Sequence, residues 1–256
     1  MIKHQILLSS SYSKGSRICL DFPDCDYSVV KGAIDRVSSA YDGKRVSFST
    51  HTIHTDSADW SSVVERDPYF DDVQVVETVD EFVKIIQEDR YLDGIDVAKY
   101  ILSKEACTHT KVEKLTYMCY ADYLCSTGKK LFEDKVFAFM YGPVVDTVFQ
   151  TLRDYSKEKP STVIDDTVVF SKMNISIQMR SRILFAEDGE EKLASIEKTL
   201  SKYRFITGKE LVDLTHRENT PWEVTVRKHK DPFGGKRHLK IRDSDIKKYH
   251  HFEELS

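Results

Sequence analysis

Apolar residues in the first 93 positions recur with two different periods. Over residues 29–41 they lie three and four apart, which is typical of an amphipathic helix. Thr78-Val79-Asp80-Glu81 forms a capping box before a second helical face. Short strands are predicted at residues 4–9, 45–53 and 73–76, and an acidic loop over 57–72. The pattern predicts a small α/β module made of strand, helix, strand, strand and helix.

Beyond Asp93-Gly94 the spacing becomes mainly helical. Thr108 can cap a long helix that Gly128 ends, and its two apolar faces indicate burial nearly all round. Residues 136–141 predict a short buried strand, and Pro143 suits the first turn of the helix that follows. Further helices are predicted at 97–102, 190–203, 207–214 and after Pro221. We therefore expect an α+β fold: a small N-terminal α/β module at 1–93, then a mainly helical domain with short strands at 94–256.

Charge divides the chain in the same way. The 256 residues carry 38 Lys and Arg against 42 Asp and Glu. Residues 1–93 hold 10 of these bases and 17 of the acids, so the first module is acidic and unsuited to phosphate binding. Apolar runs are too short for a membrane span or a signal peptide, and the five scattered cysteines suit a reducing compartment. These features predict a cytoplasmic protein without a membrane partner.

Motifs for catalysis, cofactors or metals are weak. The chain has too few glycines for a glycine-rich nucleotide-binding loop, so no cofactor is predicted. The spacing of Cys and His does not suit zinc, so no metal is predicted. No catalytic site is predicted either. A hydrolase using Cys107, Asp213 and His216 can be drawn, but a triad is defined by geometry, not composition. A basic tail from Arg227 to Lys248 leaves nucleic-acid contact open for that segment alone.

Four motifs in the second part follow one another in a recognisable order. They are Thr108-His109 with Lys114-Leu115-x-Tyr117, then Tyr141-Gly142-Pro143-Val144, then Leu214-Thr215-His216, then Pro221-Trp222. Over about residues 94–250 this arrangement resembles the Panacea domain of the SocA-like antitoxins, a family that also includes phage-associated proteins. The signature residues are Lys114, Leu115, Tyr117, Tyr141, Gly142, Pro143, Leu214, Thr215, His216, Pro221 and Trp222.

The resemblance implies a bacterial antitoxin that is not an enzyme and that neutralises a co-encoded protein toxin by direct binding. One branch of the family acts as a proteolytic adaptor, so a protease is a second partner to consider. The signature residues would maintain the scaffold or touch the toxin. The first 93 residues lie outside the resemblance; there Asp71, Asp72, Glu77 and Asp80 are candidate acidic contacts. A DNA-binding regulator of its own operon and a Cys/His hydrolase remain the alternatives.

Overall fold

The computed structural model describes residues 1–12, 15–41, 48–158, 169–170, 179–229 and 239–255. The chain forms two compact units. Unit 1 contains Met1–Tyr91 together with Phe185–Glu187, and unit 2 contains Leu92–Leu184 together with Asp188–Ser256. Unit 1 is rich in strands and unit 2 is mainly helical, so the predicted mixed α+β class is confirmed.

Unit 1 is built on one four-stranded sheet. Its strands lie in the order β3-β1-β2-β4, with β4 parallel to β2 and the other pairs antiparallel. The elements, in chain order, are β1 (Ile2–Ser11), β2 (Ser16–Pro23), α1 (Tyr27–Ser39), β3 (Ser49–Thr55), α2 (Trp60–Arg66), a 3-10 turn (Pro68–Phe70), β4 (Val73–Val75) and α3 (Val79–Glu88).

Both faces of this sheet are covered, because neighbouring strand residues point to opposite sides. Leu7 and Ile18 pack under α1 and α3 on one face. Ile6 and Cys19 pack against Val63 and Phe70 on the other. The predicted helices over 29–41 and after Thr78 are confirmed. The Thr78 hydroxyl accepts a hydrogen bond from the Glu81 amide, which is one of the two bonds of the predicted capping box.

One expectation for unit 1 was wrong, and one strand was missed. The stretch 57–72 is not a plain loop, because it forms α2 and the 3-10 turn, whose Val63 and Phe70 are buried under the sheet. β2 was not predicted at all, since burial on both faces removes the alternation that marks a half-exposed strand. The early part of the predicted 45–53 strand, residues 45–47, lies outside the described residues.

Unit 2 is a set of helices with short strands between them. The described strands form a three-stranded sheet in the order β7-β6-β9 and a β5–β8 pair. The elements are α4 (Gly94–Lys104), β5 (Cys107–Thr108), α5 (His109–Thr127), β6 (Val136–Phe139), β7 (Gly142–Val145), α6 (Asp146–Glu158), β8 (Val169–Phe170), α7 (Met179–Leu184), α8 (Gly189–Tyr203), α9 (Gly208–Thr215), α10 (Pro221–Arg227), β9 (Leu239–Lys240), α11 (Asp243–Tyr249) and a 3-10 turn (His250–Glu253).

Helix α5 is the centre of unit 2. The Thr108 hydroxyl accepts from the Lys111 amide at its start, and Gly128 ends it with a φ of 76°, both as predicted. Side chains around its whole circumference are buried, including the charged Glu113 and Lys114. Burial on every side means that other elements of unit 2 pack all around this helix.

Pro143 does not begin a helix, contrary to the prediction. It lies in β7 opposite Ala138, and the next helix begins at Asp146. Among the described strands β7 forms the edge of its sheet, where a residue without an amide N–H is tolerated. A proline that precedes an apolar helical face can therefore begin the helix or lie in a strand that leads directly into it, and the sequence pattern does not distinguish the two.

Candidate functional site

Strands β6 and β7 form a tight hairpin in unit 2. Phe139 pairs with Gly142, so Met140 and Tyr141 are the two residues that connect the strands, and we call this pair the hairpin tip. Met140 is 59% exposed and Tyr141 is 71% exposed. Large apolar side chains at this exposure contribute little to the core of their own unit. The tip therefore presents a thioether and an aromatic ring to the outside.

Three side chains from three places in the chain hold the backbone of this hairpin. Trp222 Nε1 in α10 donates to the Phe139 carbonyl at 2.8 Å. His216 Nε2, just after α9, lies 3.2 Å from the Met140 carbonyl oxygen. Lys114 Nζ in α5 donates to the Pro143 carbonyl at 2.8 Å. Signature residues that are far apart in sequence thus converge on one short turn.

Gly142 is required by both conformation and space. Its φ is 103°, a value that side chains with a Cβ rarely adopt. A Cβ at this position would lie 2.7 Å from Thr215 Oγ1 and 2.9 Å from Lys114 Cε. Thr215 is itself fully buried, and its hydroxyl donates to the Val212 carbonyl at 2.9 Å. The hairpin can approach α5 and α9 this closely only because residue 142 is glycine.

Lys114 is a buried cation beside the hairpin. Burial lowers its pKa to about 8, although the nearby carboxylates of Glu113 and Glu253 act in the opposite direction. The amine neither reaches solvent nor forms a close ion pair; it bonds the Pro143 carbonyl. A buried ammonium without its hydrogen bond is costly, so the bond fixes the position of β7 relative to α5.

His216 joins α9, the hairpin tip and Trp222. Its Nδ1 lies 2.7 Å from the Val212 carbonyl oxygen, and its ring packs on the Trp222 indole with centroids 3.8 Å apart. Each ring nitrogen lies within hydrogen-bond distance of a backbone carbonyl oxygen, so the ring is held between α9 and the hairpin tip.

A second buried network links α5 to the C-terminal 3-10 turn. His250 Nδ1 lies 2.7 Å from Glu253 Oε2, and His250 Nε2 lies 2.8 Å from Asp122 Oδ1. The Tyr117 hydroxyl donates to Glu253 at 2.9 Å. Burial opposes a charge on His250, but its hydrogen bonds to the two carboxylates outweigh that and raise its pKa to about 9. Sequence reasoning did not connect Asp122, His250 and Glu253, since nothing in their spacing shows that they meet.

The remaining signature residues are structural neighbours of this site. Leu115, Leu214 and Pro221 are buried in the core of unit 2. Tyr117 belongs to the His250 network, and Trp222 is only 9% exposed. Of the whole signature set, Tyr141 is the member whose side chain is largely exposed. The others position the hairpin directly or pack the elements that do so.

The candidate acidic contacts in unit 1 fall into two groups. All four are exposed, between the 3-10 turn and the start of α3. Asp72 forms an ion pair with Arg17, and the hydrogen bond from that guanidinium lowers the pKa of Asp72. Asp80 pairs with Arg36 at 3.0 Å. Among the described residues no ion pair involves Asp71 or Glu77, whereas Arg17 and Arg36 partly offset the charges of Asp72 and Asp80.

The residues of the drawn hydrolase do not form a triad. Cys107 is buried in β5, and burial raises the pKa of its thiol to about 12, so it is protonated at neutral pH. Asp213 is exposed, and His216 faces backbone carbonyl oxygens instead of a thiol. Across the described ranges no group of three His, Cys, Asp or Glu side chains has a geometry that could hold a metal ion.

The basic tail lies partly outside the described residues, at 230–238. Several cations in its described parts are already engaged: Arg227 with Glu223, Lys228 with Asp245, and Lys247 with the Gly128 carbonyl. None of the helices in the described parts of the chain is long and apolar enough to cross a membrane.

The fold and this site define a mixed α+β protein in which a helical unit holds a hairpin by its backbone and leaves the two tip residues exposed. Comparison with known families then gives a particular match. Residues 112–223 match the family described as antitoxin SocA-like, Panacea domain. That segment includes Lys114, the hairpin, His216 and Trp222, so the resemblance is confirmed over the part of the chain that builds the site. No curated protein matches the chain, and no solved structure does.

Proposed function

We propose that this protein is an antitoxin that neutralises a co-encoded protein toxin by direct binding, without catalysis, and that the hairpin tip is part of the binding surface. One observation carries the proposal. Within the segment that matches the antitoxin family, Lys114, His216 and Trp222 bond the hairpin backbone, while Met140 and Tyr141 remain exposed.

The physical reason is preorganisation. A backbone held at three carbonyls loses little conformational freedom when a partner binds, so more of the contact energy appears as affinity. Tyrosine is enriched among the residues that dominate protein interfaces, and methionine adapts to irregular apolar surfaces. The complementary surface on the toxin would be an apolar pocket large enough for these two side chains.

The proposal also assigns roles to the rest of the chain. Residues 94–256 would form the Panacea domain, with the His250–Glu253 turn included because it bonds α5. Residues 1–93 would add toxin specificity through their acidic surface, with Asp71 and Glu77 as stronger contacts than the ion-paired Asp72 and Asp80. The site of action would be the bacterial cytoplasm, and delivery of the toxin to a protease is compatible with this arrangement.

Growth rescue tests the proposal. The partner is defined as the product of an adjacent gene whose expression alone stops growth, and it is co-expressed with the full chain. Wild type should restore growth. The double variant Met140→Ser with Tyr141→Ser should lose most of the protection at equal protein level, because it removes the apolar tip but not the bonds that hold it.

The matched control is Phe205→Ser. Phe205 is 87% exposed and lies in unit 2 between α8 and α9, so this change removes an exposed aromatic ring that is not part of the hairpin. It should protect as well as wild type. Equal protection by the tip variant and wild type would remove the tip from the binding surface. Failure of wild type to protect against any adjacent product would contradict the antitoxin function itself.

A further inference from the structure

The sheet of unit 1 ends in a long edge strand. β3 has seven residues, and among the described strands it pairs with β1 alone. The opposite edge, β4, has only three residues. An edge strand offers a row of backbone N–H and C=O groups to any chain that can pair with it, and a longer row forms more bonds.

The register shows which residues of β3 offer these groups. The Asp24 amide donates to the Lys3 carbonyl, so the backbone of Lys3 faces β2 and not β3. Lys3 lies opposite His54, and in an antiparallel pair of this kind both residues direct their backbone groups away from each other. By alternation the backbone groups of Thr50, Thr52 and His54 point outward from the sheet.

The position of Pro23 supports this register. Pro23 lies in β2 opposite His4 of β1, whose backbone groups face β3. A proline without an N–H therefore loses no hydrogen bond between β1 and β2 at this position. Thr50, Thr52 and His54 are exposed. The three outward-facing residues are therefore accessible as well as correctly oriented.

Within the described part of the chain, β3 carries none of the sequence features that usually protect an edge strand against pairing. Natural edge strands are commonly blocked by lysine, by proline or by a bulge. β3, with the sequence Ser-Thr-His-Thr-Ile-His-Thr, contains no Lys, Arg or Pro and pairs with β1 in continuous register. Threonine and isoleucine also favour extended backbone. The strand has the composition and geometry of a template for strand addition.

We propose that β3 binds a β-strand of a basic protein, which extends the unit 1 sheet, and that this basic protein is the toxin of the function proposed above, on which the inference rests. Strand addition gives affinity through backbone bonds and leaves side chains to choose the partner. It would place unit 1 in the complex as a second contact, independent of the hairpin tip.

Charge selects the occupant. Residues 1–93 carry 10 bases and 17 acids, and Asp56 and Asp59 are exposed immediately after β3. A second copy of the chain would bring the same negative charge to the edge and be repelled. A strand from a positively charged protein would be attracted, and added salt would slow its association.

A proline at position 52 tests the edge. Thr52→Pro removes an outward N–H in the middle of β3, and Thr52→Val keeps that N–H and a branched side chain of similar size. In the growth-rescue assay with the adjacent-gene product, Thr52→Val should protect as wild type does. Purified Thr52→Pro should bind that product roughly tenfold more weakly, the loss expected for removal of a single backbone bond and its neighbouring geometry.

Three results would overturn the inference. Equal binding by the proline and valine variants would exclude the edge while leaving the antitoxin function intact. A dimer in wild type that Thr52→Pro abolishes would make a second copy the occupant. Absence of any protection by wild type would remove the proposed function and this inference together.

Hydrogen exchange on the unaltered chain gives a second readout, which a folding defect of the proline variant cannot affect. In the complex, the amides of Thr50, Thr52 and His54 should exchange at least roughly tenfold more slowly than in the free protein. Unchanged exchange at these three amides in a complex that protects growth would also overturn the inference.

Discussion

Lys114 places an ammonium group in the buried interior, where desolvation disfavours the charge, and this constrains the position of the hairpin. Its ammonium is buried in α5 and bonded to the Pro143 carbonyl, so β7 cannot move without leaving a buried cation unpaired. The motif Lys-Leu-x-Tyr could be recognised in the sequence. Its meaning could not, because the bonding partner is a backbone group 29 residues away in sequence.

Gly142→Ala tests this close approach at the scale of one residue. The change should destabilise unit 2 by roughly 2–3 kcal/mol, because it combines a disfavoured positive φ with contacts under 3 Å to Thr215 and Lys114. The free energy of unfolding from urea titration measures it. Gly128→Ala is the control, since Gly128 also has a positive φ but nothing within 4 Å of a Cβ; it should cost only about 1 kcal/mol. Equal costs would show that the contacts at Gly142 contribute nothing.

At the scale of elements, unit 2 is organised by what reaches α5. The helix itself was predictable, because its cap, its glycine end and its two apolar faces are local features. The strand β7 was mistaken for the start of a helix, because pairing with β6 is a non-local interaction that overrides the local preference of proline. The C-terminal 3-10 turn is joined to α5 by ion pairs, because His250 in the turn contacts Asp122 of α5 as well as Glu253.

The His250 network predicts a dependence of stability on pH. The pKa of His250 is raised from 6.5 to about 9 in the folded protein. Its stabilising effect should be complete below about pH 6.5 and disappear as the pH rises through 9, a loss of about 3 kcal/mol at most. The measurement is the difference in unfolding free energy between wild type and His250→Gln at several pH values. The titration of other groups, such as Lys114, changes the stability of both proteins alike and largely cancels in this difference.

The exposed neighbour His251 supplies the control for this experiment. His251→Gln should give a pH profile parallel to that of wild type. A difference between wild type and His250→Gln that stays constant from pH 6 to pH 9 would contradict a protonated His250 in the folded state.

At the scale of the whole molecule, the chain combines an acidic sheet unit with a helical unit that carries the family match. The difference in charge and in hydrophobic period was visible in the sequence. The inclusion of Phe185–Glu187 in unit 1 was not, because a three-residue segment has no period of its own. There Phe185 stacks on Tyr12 and Glu187 pairs with Arg90 at 3.0 Å, so a fragment beginning at residue 94 would lack the partners of both side chains.

Direct binding by the hairpin tip is the central claim, and titration calorimetry with the purified adjacent-gene product measures it. Wild type and Phe205→Ser should bind with the same Kd. The Met140→Ser, Tyr141→Ser double variant should bind roughly a hundredfold more weakly, as expected when two anchoring apolar side chains are removed from an interface. An unchanged Kd for the double variant, or no heat of binding for a wild-type protein that protects growth, would contradict the account.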